Sequence, residues 1–212
     1  MQFITLRFCT LLFVVSMLAA RSEAAIIVAD TTGADTFTSA DFYGIDFASG
    51  AGAIQSVLYD LSVDSDAFFD FDGASSYNDE TAPVLGTLSG LVAGDISFVL
   101  VDDALHPTQV RVDFAPGSFQ AGDSMRFAMD TDFLFSDPAP GSVFGDAGVP
   151  ITVTLYGGFS ETANFVRISD TQSVVTLNVV PEPAALLLAG IATLGLLADV
   201  RRRRSAHRAA IC

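Results

Sequence analysis

The stretch Val110-Arg111-Val112-Asp113-Phe114 alternates apolar and charged residues at every position. Successive side chains of a β-strand point to opposite faces of a sheet, so this alternation predicts a strand with one buried face. The same alternation recurs in the segments Val57–Val63, Ile96–Leu100, Phe127–Met129, Ile151–Leu155 and Val175–Val179. Clusters of Gly, Pro and Asp separate these segments, as expected of turns. The pattern predicts an all-β fold for residues 25–179, an antiparallel two-sheet sandwich or jelly roll.

Helical spacing of apolar residues is not found anywhere in this predicted body. The segment Pro138–Gly148 is rich in Pro and Gly and is predicted to be a long loop. At about 155 residues, the body is long enough to bury a core as a single domain.

The body carries a large excess of negative charge. Residues 25–179 contain 22 acidic residues but only three basic ones, Arg111, Arg126 and Arg167, and the whole chain has no lysine. Nucleic acids and anionic lipid surfaces are bound through basic patches, so neither is expected to bind the body. The two cysteines, Cys9 and Cys212, lie outside the body, which therefore has no disulfide and no cysteine nucleophile.

Aspartate outnumbers glutamate twenty to two in the body. The simplest explanation is that Asp suits turns, where its short side chain accepts hydrogen bonds from nearby backbone. Some of these residues are also candidate ligands of a structural calcium ion: Asp64, Asp66, Asp70 and Asp72. Two-residue spacing in a strand would place Asp70 and Asp72 on one face. The segment does not match an EF-hand loop, and Asp130 with Asp132 forms a second candidate pair.

We expect no enzymatic activity, because no catalytic motif is found. His106 is the only histidine of the body, and Gly158-Phe159-Ser160-Glu161-Thr162 fails the nucleophile-elbow pattern at its last position. A two-carboxylate glycosidase stays open, since sequence spacing does not test the distance between two acids. Sugar-binding surfaces usually present aromatic rings, and the chain has no tryptophan, which weakens a carbohydrate-binding function.

Residues 1–24 have the organisation of a signal peptide. Arg7 precedes an apolar stretch from Phe8 to Ala20, and small residues follow at the positions that a signal peptidase requires. Cleavage is predicted between Ala24 and Ala25, and an uncleaved N-terminal anchor is the alternative. In either case the body is exported.

The C-terminal region combines three features in a fixed order. Val180-Pro181-Glu182-Pro183 is followed by an uncharged run, Ala184–Ala198, and then by four consecutive arginines: Arg201, Arg202, Arg203 and Arg204. As a helix the run is about 22 Å long, which becomes just sufficient to span a bilayer once its flanking residues are included. The arginines resist translocation, so the C-terminus, including a short tail over residues 205–212, is predicted to stay cytoplasmic.

These three features together resemble the PEP-CTERM sorting signal over residues 180–204. The resemblance implies recognition of Pro181, Glu182 and Pro183 by exosortase, an integral-membrane cysteine transpeptidase or protease. It also implies transient anchoring in the inner membrane, followed by delivery to the cell surface or to an extracellular polysaccharide matrix. We therefore expect an exported, non-enzymatic protein of the surface or matrix. A carbohydrate-binding or carbohydrate-cleaving jelly roll and a calcium-dependent adhesion module are the alternatives.

Overall fold

The computed structural model describes residues 24–34, 36, 39–64, 66–70, 82–102, 107–133 and 140–180. The predicted signal peptide before Ala24, the predicted membrane helix and the cytoplasmic tail lie outside these residues. So do the sorting and topology residues predicted from the sequence: Pro181, Glu182, Pro183, Arg201, Arg202, Arg203 and Arg204. Within the described part of the chain, no helix is long and apolar enough to cross a membrane.

Two large antiparallel sheets and one small sheet make up the described residues. In spatial order, the first sheet contains β13 (Val166–Ser169), β14 (Gln172–Val179), β1 (Ala25–Thr32), β2 (Tyr43–Ser49), β9 (Ser124–Ala128) and β5 (Val84–Ser89). The second contains β12 (Ser160–Asn164), β11 (Pro150–Leu155), β3 (Ala53–Asp60), β7 (Gln109–Phe114) and β6 (Ile96–Leu100), with β8 (Phe119–Gln120) beside the start of β3. The small sheet pairs β4 (Ala67–Phe69) with β10 (Thr131–Phe133). The predicted all-β, two-sheet antiparallel fold is confirmed.

The core lies between the two large sheets and follows from the alternation in the sequence. In β7, Val110, Val112 and Phe114 are buried while the intervening Arg111 and Asp113 are partly exposed. Aromatic rings join the two layers: Tyr43 of the first sheet and Tyr59 of the second pack edge to face, with ring centroids 5.4 Å apart. One continuous cluster of buried apolar side chains therefore holds the sheets together.

The prediction of a long loop over Pro138–Gly148 is wrong in its second half, where the short helix α1 (Ser142–Asp146) forms. Phe144 from this helix is 1% exposed, and its ring centroid lies 5.5 Å from that of Tyr43. A five-residue helix has too few turns to show helical periodicity, and it is stabilised by the burial of this ring rather than by intrinsic propensity.

Each end of the sandwich collects its own set of connections. Ala25, the first residue of β1, is paired with Val179, the last residue of β14, so the chain enters and leaves the fold side by side. We call this the exit end; its connections are residues 50–52, 90–95, 115–118, 121–123 and 156–159. The opposite end, which we call the far end, includes α1, the β4–β10 sheet and the other described residues that connect strands.

Candidate metal centre and sorting end

Three aspartates meet at the far end, beside the small sheet. Asp70 directly follows β4, Asp130 directly precedes β10, and Asp132 lies within β10. Antiparallel pairing of the two strands brings these distant parts of the sequence together, and the Asp70 N–H donates to the Asp130 carbonyl oxygen at 3.0 Å. One carboxylate oxygen from each residue lies within 4.8 Å of the others. The side chains are at most 5% exposed, so this cluster is buried.

The strand that carries Asp132 is held in place by hydroxyl groups. The Tyr43 hydroxyl and the Thr131 Oγ1 are 2.6 Å apart, and either can donate to the other. Thr36 supports the same residue twice: its Oγ1 accepts from the Thr131 N–H and donates to the Thr131 carbonyl oxygen. Burial raises the pKa of Tyr43 well above its usual value, so its phenol stays neutral over the whole physiological range.

Three converging carboxylates could hold a hard divalent cation such as Ca²⁺, because this ion prefers oxygen ligands. Of the four calcium candidates, only Asp70 is placed in this cluster by the structure. Asp64 belongs to a turn instead, where its Oδ1 accepts from the N–H of the exposed Asp66 at 3.1 Å. Asp72 lies outside the described residues, and β4 ends at Phe69, one residue before Asp70. Calcium binding stays a prediction.

The second candidate pair, Asp130 and Asp132, therefore joins the first through Asp70. Separate inspection of the two sequence segments does not reveal this, because strands of three residues are too short to show an alternation that would predict their pairing. His106, the one histidine of the body, lies outside the described residues.

All three arginines of the body are paired with aspartates. Arg111 bonds Asp113 at 2.7 Å, Arg126 bonds Asp46 at 2.9 Å, and Arg167 bonds both Asp146 and Asp170. Each basic group thus lies within a local ion pair. The absence of nucleic-acid binding stays a prediction.

The first sheet contains both the first and the last described strand, and their outer ends meet at the exit end. Ala25 is fully buried, and Gly50, whose φ is 120°, packs against it so closely that a Cβ would overlap the Ala25 Cα. The predicted signal-peptidase bond between Ala24 and Ala25 is therefore at the very start of a strand. At the other terminus Val179 is 1% exposed, whereas the next residue, Val180, is 57% exposed.

A family model described as the PEP-CTERM protein-sorting motif matches residues 179–204. The chain carries a PEP-CTERM sorting motif. The predicted resemblance is thus confirmed, and the match spans the residues predicted for recognition and topology: Pro181, Glu182, Pro183, Arg201, Arg202, Arg203 and Arg204. The motif marks an exported protein that an exosortase-type enzyme processes during membrane-anchored sorting. No curated protein and no solved structure matches the chain.

The individual roles of these residues stay predictions. The match covers the four arginines as part of the motif, but the cytoplasmic orientation assigned to Arg201, Arg202, Arg203 and Arg204 comes from their charge alone. Because all four lie outside the described residues, their part in the topology is tested by substitution and not by geometry.

Proposed function

We propose that this chain is a non-enzymatic protein of the cell surface or extracellular matrix, displayed after exosortase processing of its tail. While anchored in the inner membrane, it keeps Arg201–Arg204 in the cytoplasm and the sandwich outside. A cut near Pro181–Pro183 then frees the sandwich for delivery to the cell surface or to an extracellular polysaccharide matrix.

The position of the last strand carries this proposal. Strand β14 ends at Val179, and the sorting motif follows without an intervening domain or long linker. A cut at residues 180–183 would remove no residue from any strand of the described sheets. The released product would therefore keep its complete core and remain folded, as a displayed or matrix protein must.

The side chains of the body favour a display role over carbohydrate cleavage or carbohydrate binding. The converging carboxylates of Asp70, Asp130 and Asp132 are at most 5% exposed, so a glycosidic bond has no access to them. Among the described residues, the exposed large apolar side chains are all Val, Leu or Ile. Sugar rings stack on aromatic faces, and these residues offer none as an exposed platform.

Mass spectrometry of the C-terminal peptide tests the proposal directly in the native cell. Trypsin cleaves after Arg167, and the next arginine is Arg201, so an intact tail yields the peptide Ile168–Arg201. We expect extracellular fractions to contain a shorter peptide that starts at Ile168 and ends between Val180 and Pro183. An intact Ile168–Arg201 peptide confined to the membrane would instead identify a permanently anchored domain and contradict processing.

Two variants connect that peptide to the motif. Glu182→Gln should leave the full tail in the membrane fraction, whereas Glu161→Gln, on the exposed edge strand β12, should be processed like the wild type. Replacing all four arginines of the cluster with glutamines should cause mislocalisation, because the positive charges fix the membrane orientation. Normal sorting of this glutamine variant would contradict the topology assigned to Arg201, Arg202, Arg203 and Arg204.

A calcium-dependent adhesion module is the second candidate, favoured by the buried aspartate cluster. A ligand that binds only the native state must stabilise it, by about 2.7 kcal/mol at a hundredfold excess over Kd. We expect Ca²⁺ to raise the Tm by several degrees and the Asp132→Asn substitution to abolish this increase. The exposed Asp66→Asn variant is the matched control and should respond like the wild type. An identical Tm in Ca²⁺ and in chelator would exclude this candidate.

A further inference from the structure

Acidic residues are distributed unequally between the two ends of the sandwich. The five connections of the exit end are built mostly from Gly, Ala and other uncharged residues, and contain only Asp95 and Asp123 as charged groups. The described connections of the far end contain many more acids, among them Asp41, Asp64, Asp66, Asp102, Asp146 and Asp170. Of the two ends of this acidic body, the chain therefore leaves from the one with fewer acids in its connections.

The chain leaves this end with almost no spacer. Val179 is fixed in β14 by its pairing with Ala25, and Pro181 of the sorting motif is only two residues further. The predicted membrane run begins at Ala184, so five residues, or at most about 17 Å, separate Val179 from the lipid. A membrane-anchored tail must therefore hold the exit end close to the lipid surface, whichever way the rest of the body leans.

Electrostatics favours one orientation of the tethered body. An anionic bilayer repels aspartates within about one Debye length, near 8 Å at physiological ionic strength. The eight residues of β1 extend for about 25 Å, so acids of the far end are several Debye lengths away when the sandwich stands upright. Tilting the sandwich onto its side would bring them within the repulsive layer.

We propose that, while the tail is anchored, the exit end of the sandwich faces the lipid surface and the acidic far end points away from it. The membrane-facing surface consists of residues 50–52, 90–95, 115–118, 121–123 and 156–159. The far end, with the aspartate cluster, is then the part presented to the exterior. This inference rests on the proposed function, because it requires the tail to be inserted.

Fluorescent probes on the full-length chain in vesicles can measure the orientation. The body has no cysteine, so a Cys9→Ser, Cys212→Ser background allows single probes at Ala51→Cys on the exit end and Thr171→Cys on the far end. Both positions are exposed. The vesicles contain phosphatidylcholine, phosphatidylglycerol and a lipid with a nitroxide on its headgroup. Because the two ends are about 25 Å apart, we expect roughly threefold or stronger quenching at Ala51→Cys relative to Thr171→Cys.

Flotation of the vesicles distinguishes a failure of the proposed anchoring from a failure of the proposed orientation. A chain that does not float with the lipid is not anchored, which overturns the proposed anchoring and this inference with it. A chain that floats but shows equal quenching of both probes, or stronger quenching at Thr171→Cys, overturns the orientation alone. These vesicles contain no exosortase, so selective quenching at Ala51→Cys reports proximity to lipid and not to the enzyme.

Added charge tests the electrostatic cause. The double variant Gly94→Asp, Ala121→Asp places two acids on the exit end, where Gly94 has open space and no positive φ. We expect it to reduce quenching at Ala51→Cys in anionic vesicles and to leave it unchanged in neutral ones. Ser62→Asp, an exposed far-end control, should change neither. An equal reduction in neutral vesicles would overturn the electrostatic explanation.

Discussion

At the exit end, connections of three to six residues join the strands and contain two acids, whereas the described connections of the far end contain several more acids. The short connections are closed largely by the backbone: the Phe47 N–H donates to the Asp123 carbonyl oxygen, and the Gly122 N–H donates to that of Phe47. The far end has backbone hydrogen bonds as well, such as Gly33 N–H to the Thr171 carbonyl oxygen, and adds a buried ring from α1, buried threonine hydroxyls and several carboxylates.

The two ends should therefore respond differently to pH and to ions. The connections of the exit end contain only two carboxylates, Asp95 and Asp123, so few groups there can respond to pH or ions. Carboxylates change charge below about pH 4 and bind cations, so the stability of the far end should depend on pH and ions.

The largest expected effect comes from Phe144→Ala, which removes the ring that attaches α1 to the core. Deletion of a fully buried phenylalanine costs about 3–5 kcal/mol through lost transfer energy and the resulting cavity. We expect a loss of this size in the free energy of unfolding, measured by urea denaturation. Val92→Ala, at a 62% exposed position of the exit end, is the control and should stay within about 0.5 kcal/mol of the wild type. Similar losses in both variants would contradict the role of Phe144 as an anchor.

Gly50→Ala tests the exit end, where a close backbone contact replaces side-chain packing. A methyl group at residue 50 would overlap the Ala25 Cα, and φ at 120° is unfavourable for any L-residue with a Cβ. We expect a loss of about 2 kcal/mol or more, together with faster amide exchange at the start of β1. Gly117→Ala isolates the strain alone, because its φ is 77° but the space around it is open; about 1 kcal/mol is expected there. Equal losses at the two glycines would show that the contact with Ala25 does not matter.

Strands with one buried face could be predicted from the sequence, because their burial imposes a two-residue period. The sequence pattern does not indicate strand β1, for a physical reason: Ile26 and Val28 on its outer face are also apolar, so burial alternates while polarity does not. Strand β13 could not be predicted from the sequence, because it has no buried face. Its apolar residues Val166 and Ile168 lie at the edge of the sheet and are 61% and 56% exposed, respectively.

The two functional regions also differ in how much the sequence reveals. A sorting motif is read by its enzyme as a linear segment, so Pro181-Glu182-Pro183 and the four arginines after the apolar run could be recognised without knowledge of the fold. The aspartate cluster is formed by the pairing of β4 with β10, and nothing local in the sequence indicates that Asp70 and Asp132 approach each other. Long-range contacts of this kind require the three-dimensional structure.

Asp102→Asn tests the pH dependence of the far end. The Asp102 carboxylate accepts three hydrogen bonds, from the N–H and hydroxyl of Thr108 and from the N–H of Gln109. Partial burial raises the pKa of Asp102, but these hydrogen bonds outweigh it and lower the pKa below its usual value. In the asparagine variant, the side-chain NH₂ group would face one of the donors on Thr108 or Gln109 and could not accept its hydrogen. We therefore expect a loss of about 1 kcal/mol in the free energy of unfolding at pH 7.

The sign of the pH effect follows from the lowered pKa. Because the folded state binds the proton of Asp102 less tightly than the unfolded state, its contribution to stability is complete above about pH 4 and is lost as the pH falls further. Urea denaturation of the wild type and Asp102→Asn across pH 7 to pH 2 should therefore converge at the acidic limit. A constant difference between the two proteins over this range would assign the loss to packing rather than to the charge.

The smallest effect is expected for the corresponding substitution at the exit end, Asp123→Asn. The Oδ2 of Asp123 accepts from the Gln120 N–H at 2.7 Å, which closes the turn between β8 and β9. Asparagine retains a carbonyl oxygen in the same position and can accept that bond, so we expect a change of about 0.5 kcal/mol or less in urea denaturation. A loss as large as that of Asp102→Asn would mean that carboxylates stabilise both ends alike, and the contrast between the two ends would no longer hold.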